Sequence, residues 1–136
     1  MMYLCLMLLG VYTPLFFLSS DTICKIVEQT DHWCQKNIGR SDDMVIEVTK
    51  QKFWDYPCYG QYDENNKVLY VFTNRCDDIK DLIKAFLHEY THYTQDLSQY
   101  DSLLNIYGYD DHPQEIEANE TAKLYDIVWR KIKNKI

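Results

Sequence analysis

Basic residues are scarce in this chain. Lysine and arginine together number 14 against 21 aspartates and glutamates, giving a formal net charge of −7 and a pI near 4.9. Such a chain has no electrostatic footprint for nucleic acid or for an anionic lipid surface, so DNA, RNA and membrane-surface binding are set aside as primary functions. No repeat, low-complexity tract or flexible linker interrupts the 136 residues, which amount to one domain. No two cysteines have the C-x-x-C spacing, which argues against a cysteine-based zinc site.

Nor does any apolar run reach the roughly 20 residues that a membrane-spanning helix needs. Met1–Leu18 carries no charged side chain, but Pro14 interrupts it and no Lys or Arg precedes it. Its length fits the apolar part of a secretory signal, with Ser19 and Ser20 as small residues for cleavage. Two readings stay open: residues 1–20 are a signal or anchor ahead of a domain at 21–136, or they are a buried element of that domain. The first places the chain outside the cell or at a membrane, the second in the cytoplasm. Cysteine usage leans slightly toward the first. Without Cys5, the residues Cys24, Cys34, Cys58 and Cys76 could form two disulfides in an oxidising compartment, or remain reduced core thiols in a cytosolic protein.

What is present suffices for one core, with 46% hydrophobic and 15% aromatic residues. Tyrosine, an apolar ring with a polar tip, supplies most of the aromatics and suits half-buried positions and cleft walls. Helical spacing predicts a helix over Ile23–Asn37, capped by Asp21 or Thr22 and ended by Gly39. Met44–Thr49 reads as a strand. Tyr59–Tyr62, the turn cluster Asp63–Asn66 and the strand Lys67–Thr73 read as a hairpin. Asp77 or Asp78 can cap a helix whose apolar stripe (Ile79, Leu82, Ile83, Phe86, Tyr90, Tyr93, Leu97) runs to about Ser98. A short helical turn is expected over Ser102–Ile106 and a loop over Gly108–His112. Pro113 then stands near the start of a last helix, Gln114 to Lys133. The expected fold is α+β: a mostly antiparallel sheet packed on the middle helix, with a closing C-terminal helix.

The chemistry lies in His88-Glu89-Tyr90-Thr91-His92. Histidines at i and i+4 share one helix face and can reach one metal ion. Zinc takes imidazole nitrogens at about 2.0–2.1 Å in a tetrahedral set. Glu89, angled away from ligation, can take a proton from a zinc-bound water whose pKa the metal lowers to about 7. A catalytic site needs a third protein ligand and one open position. Gln95 and Ser98 stand where the class with a third histidine six residues on would need glycine and histidine, so that class is excluded. His32 reads as an ordinary surface or core residue, and His112 as a loop residue at the edge of the last helix. The acidic candidates are Glu115 and Glu117. Two positions apart on a helix, about 200° around the axis, they cannot both face the histidines.

HEYTH followed by Glu115-Ile116-Glu117-Ala118-Asn119 resembles the gluzincin metallopeptidases in their small form, such as the compact one-domain ImmA/IrrE-type proteases. The resemblance spans roughly Tyr59 to Ala122. It implies a zincin-like domain and a Zn2+ cofactor held by His88, His92 and Glu115, with Glu89 as general base. It also implies that Asn119 orients a metal-bound histidine, and that Ala122, one further turn on, allows close helix packing. Tyr59–Tyr62 and the strand after it would hold an extended substrate by backbone pairing. Gln95 shares the metal-facing side. An oxyanion donor is expected among Tyr100, Tyr107, Tyr109 and His112. The function expected is hydrolysis of a peptide or protein substrate by a monomeric enzyme. Its rival is a non-catalytic binding or regulatory protein of the same fold with a structural zinc.

Overall fold

The structure, a computed structural model, describes residues 9–39, 43–52 and 56–136. The fold is α+β. Helix α1 (Ser20–Asn37) is followed by strands β1 (Val45–Thr49), β2 (Gly60–Asp63) and β3 (Val68–Phe72). Then come α2 (Ile79–Thr94), α3 (Tyr100–Tyr107), α4 (Pro113–Ala122) and α5 (Tyr125–Ile132).

Helix α2 is the centre. Asp78 caps it by accepting the Asp81 amide at 2.8 Å. Ile79, Leu82, Ile83, Phe86, Leu87 and Tyr90 are all fully buried. Such a helix needs cover on several sides, which the sheet, α1, α4 and α5 provide. Leu69 and Val71 of β3, alternating as strand geometry requires, supply the sheet's share of the core. The expected hairpin is present: Asp63 Oδ1 accepts the amides of Asn65 and Asn66, closing the turn between β2 and β3.

The sheet corrects one expectation. It is mixed rather than mostly antiparallel, in the order β1-β3-β2. β2 pairs antiparallel with β3 through the hairpin, whereas β1 pairs parallel with it, Val45 opposite Val68 and Thr49 opposite Phe72. The long connection from β1 to β3 permits the crossover that parallel strands require. An apolar pattern such as Met44–Thr49 carries no information on direction.

The last helix is also corrected. Instead of running unbroken from Gln114 to Lys133, it turns at Lys123 and Leu124, whose amides reach back only three residues to Glu120 and Thr121. The turn lets α4 bury Glu115, Ala118 and Ala122 while α5 buries Val128, Trp129 and Ile132. A smaller correction concerns α1: Ser19, rather than Asp21 or Thr22, caps it by accepting the Thr22 amide.

Leu9–Leu18 packs on the domain. Leu15 is 5% exposed within the core. The carbonyls of Thr13 and Val11 accept the Ile79 and Lys80 amides at 3.2 and 2.7 Å, satisfying donors in the first turn of α2 that have no partner inside the helix. The Trp129 indole donates to the Leu9 carbonyl. Met1–Leu8, the rest of the apolar segment, lies outside the described residues, as does Cys5. No described helix is long and apolar enough to cross a membrane. Cys24, Cys34, Cys58 and Cys76 are all free thiols, so the two-disulfide arrangement is not formed.

Candidate metal centre

His88, Glu89 and His92 lie on the face of α2 that looks between β2 and α4. Across from them, the first turn of α4 brings in Glu115. Its Oε1 stands 2.9 Å from His88 Nε2 and 2.9 Å from His92 Nε2, and the two imidazole nitrogens are 3.1 Å apart. The three side chains are 17%, 10% and 4% exposed. Among the described residues this group could hold a metal ion. Glu117 is not part of it. That residue is exposed and its carboxylate accepts from Gln95 instead.

The tautomer of His92 follows from its neighbours. Gln95 Nε2 donates to the Gln114 carbonyl at 2.9 Å and to Glu117 at 3.1 Å. A carbonyl and a carboxylate can only accept, so the amide nitrogen must face them, and Gln95 Oε1 must face His92 Nδ1, 2.8 Å away. Nδ1 therefore carries a hydrogen. In the neutral ring Nε2 then presents a lone pair to the Glu115 carboxylate, an arrangement that calls for a cation or a proton between them. Burial disfavours charge on His92, but the hydrogen bond with Glu115 and the charge of Glu89 outweigh it and raise the imidazole's pKa. Burial likewise opposes charge on Glu115, yet its close contacts with both imidazoles, which favour the ionised carboxylate when a proton lies between them, hold its carboxyl far below the usual carboxylate range.

Glu89 faces the same space without joining the three. Its Oε1 is 4.0 Å from His88 Nε2, and its side chain is 12% exposed. Burial raises its pKa, although the two histidines pull it down and the Tyr62 amide on β2 bonds to the carboxylate. Gly60 makes this closeness possible. A Cβ there would stand 2.6 Å from the Tyr70 carbonyl oxygen and 3.3 Å from Glu89 Cγ. Only glycine lets β2 sit this close to Glu89 without displacing its neighbours.

A cleft opens over these residues in two arms of about 350 and 380 Å³. Gly60, His88, Glu89 and Tyr109 line both arms. β2 borders the cleft as an edge strand, whereas β3, also expected to meet a substrate, is the central strand with both edges occupied.

No family model matches the chain, and no curated protein or solved structure matches it either. The gluzincin resemblance therefore rests on the motif residues, and the finding that stands beside it is the His-His-Glu group.

Two supporting roles differ from expectation. Asn119, expected to orient a histidine, is exposed and bonds to neither imidazole. Gln95 makes that contact, because the turn after α2 swings its amide back over His92. His112, expected as a loop residue, is fully buried and caps α4. Proline at the next position was the available signal, since Pro at the first helical position places its predecessor at the cap. Histidine is an unusual cap, which hides it from pattern reading. Ala122 packs inward as expected, 4% exposed. His32 is exposed on α1, away from the cleft.

Proposed function

We propose that the chain is a zinc-dependent hydrolase that cleaves peptide bonds. One observation carries the proposal: a largely buried carboxylate, Glu89, faces the cleft beside three metal-capable donors without being one of them. Structural zinc sites close with four protein ligands, whereas catalytic sites use three and keep one position open. Among the described residues the group has three members, which favours catalysis over the structural-zinc alternative. Two imidazole nitrogens and a carboxylate oxygen suit zinc. Tetrahedral bonds of about 2.0–2.1 Å would set donor atoms roughly 3.3–3.4 Å apart, close to the spacings of 2.9–3.1 Å found here.

Held by His88, His92 and Glu115, zinc would supply a water of lowered pKa and polarise a substrate carbonyl. Glu89 accepts the proton of the attacking water and passes it to the leaving amine; its raised pKa suits a group that must both take and release a proton. The oxyanion donor assigned here is Tyr109. His112 has both ring nitrogens bonded, Tyr107 does not line the cleft, and of the two tyrosines that contact Glu115, Tyr100 makes the close 2.8 Å hydrogen bond. Tyr109 lines both arms, and burial together with the charges of Glu115 and Glu89 and a lesser hydrogen bond to Glu115 pushes its phenol up to about 12, so it keeps its proton at neutral pH. The edge of β2 offers backbone groups to an extended peptide.

The test is Glu89→Gln assayed on a mixed peptide library. The variant should keep its zinc and lose about 100- to 10,000-fold in cleavage rate. Cleavage at the wild-type rate would end the proposal.

A further inference from the structure

His112 lies outside the metal group, and both its ring nitrogens are engaged. Nδ1 accepts the Gln114 backbone N–H at 3.1 Å. A backbone amide only donates, so Nδ1 is bare and the ring hydrogen sits on Nε2, which donates to the Tyr100 carbonyl at 3.0 Å. The imidazole is fully buried and stacks on the Tyr100 ring, with centroids 4.1 Å apart and planes 30° from parallel. Tyr100 in turn donates its hydroxyl to Glu115 Oε2 at 2.8 Å, while Oε1 faces the two histidines.

These contacts close a ring of constraint. His112 caps α4, and Glu115 stands in the first turn of that helix. His112 also holds the backbone and ring of Tyr100 at the start of α3. One imidazole thus fixes both the helix that carries the carboxylate and the phenol that grips it.

We propose that His112 is a positioning residue that makes Glu115 a one-oxygen ligand. By clamping the start of α3 to the start of α4, it keeps the Tyr100 hydroxyl on Oε2 and leaves Oε1 alone to the metal. The inference rests on reading the His-His-Glu group as a metal site. Its consequence is that metal affinity depends on a buried histidine that never touches the metal.

The test compares His112→Asn, Tyr100→Phe and the double variant by competition with a zinc chelator, alongside imidazole nitrogen NMR of the metal-free wild type. Asparagine retains an N-cap acceptor but has no ring to stack and is too short to reach the Tyr100 carbonyl. Each single variant should bind zinc about 10- to 100-fold more weakly, the range for residues that support a ligand without touching the metal. The double variant should lose no more than the weaker single one, because both break the same link. In the NMR spectrum His112 should carry its hydrogen on Nε2. Wild-type affinity in His112→Asn, losses that multiply in the double variant, or a hydrogen on Nδ1 would each overturn the clamp. The NMR measurement needs no variant to fold. A wild-type chain that takes up no zinc overturns the metal reading instead, and the His112 tautomer then still decides the clamp.

Discussion

Gln95 Oε1 lies 2.8 Å from Nδ1 of His92, and that one contact sets which nitrogen of the buried imidazole is free to bind a metal. The same side chain donates to the Gln114 carbonyl and to Glu117, tying the end of α2 to the first turn of α4. Gln114 answers by donating to the Asp96 carbonyl. The two histidines and the carboxylate opposite are thus held in register by amides.

Replacing Gln95 by Ala should remove both functions. His92 would lose the acceptor that fixes its tautomer, and the start of α4 would lose a tether. Zinc affinity should fall about 10- to 100-fold, measured by chelator competition, with the helix content of the chain unchanged. Wild-type affinity in Gln95→Ala would show that the His92 tautomer is set some other way.

A second prediction concerns Gly60. A methyl group placed there meets the Tyr70 carbonyl oxygen and Glu89 Cγ. The backbone oxygen cannot move without disturbing the β2–β3 pairing, so the strand or the glutamate must shift. Gly60→Ala should cost about 1–3 kcal/mol in urea unfolding, as overpacked positions do, and lower the cleavage rate while zinc content holds. A variant as stable and as active as the wild type would contradict the packing described for β2 and Glu89.

The third concerns the segment ahead of α1. A chain begun at Asp21 loses the buried Leu15 and the carbonyls that satisfy the Ile79 and Lys80 amides. Burial of one leucine side chain is worth about 1.5–3 kcal/mol, and each lost hydrogen bond about 0.5–1.5 kcal/mol. Against a typical total of roughly 5–15 kcal/mol, the truncated chain should melt about 10 °C or more below the full chain. Equal melting temperatures in a thermal unfolding scan would show that this segment does not support α2.

Local patterns in the sequence carried most of the elements and the three residues of the His-His-Glu group. The i, i+4 histidines of a helix marked by Asp78 and its apolar stripe are found together, and the acidic residue that meets them is Glu115. The hairpin around Asp63–Asn66 is likewise written in its turn residues. What was not legible depends on long-range geometry. Val45–Thr49 could have paired in either direction. The break at Lys123–Leu124 carries neither glycine nor proline and follows from α4 and α5 burying different faces. Asn119 has the right spacing for a partner of the histidines, but Gln95 reaches His92 first because the chain turns sharply after Thr94. His112 looked like a loop histidine because its role joins two helices that the sequence does not show to be neighbours.

Whether His88, His92 and Glu115 hold zinc is decided by metal content. Wild-type chain and single variants would be equilibrated in zinc-replete buffer, desalted and analysed for metal. Wild type should hold about one zinc per chain, lost in His88→Ala, His92→Ala and Glu115→Ala, since a site with three protein ligands cannot spare one. Glu117→Ala should keep its zinc, because that carboxylate is exposed and accepts from Gln95 rather than joining the two histidines. A wild-type chain that stays metal-free, or an emptied Glu117→Ala beside a loaded Glu115→Ala, would contradict a zinc site made of His88, His92 and Glu115.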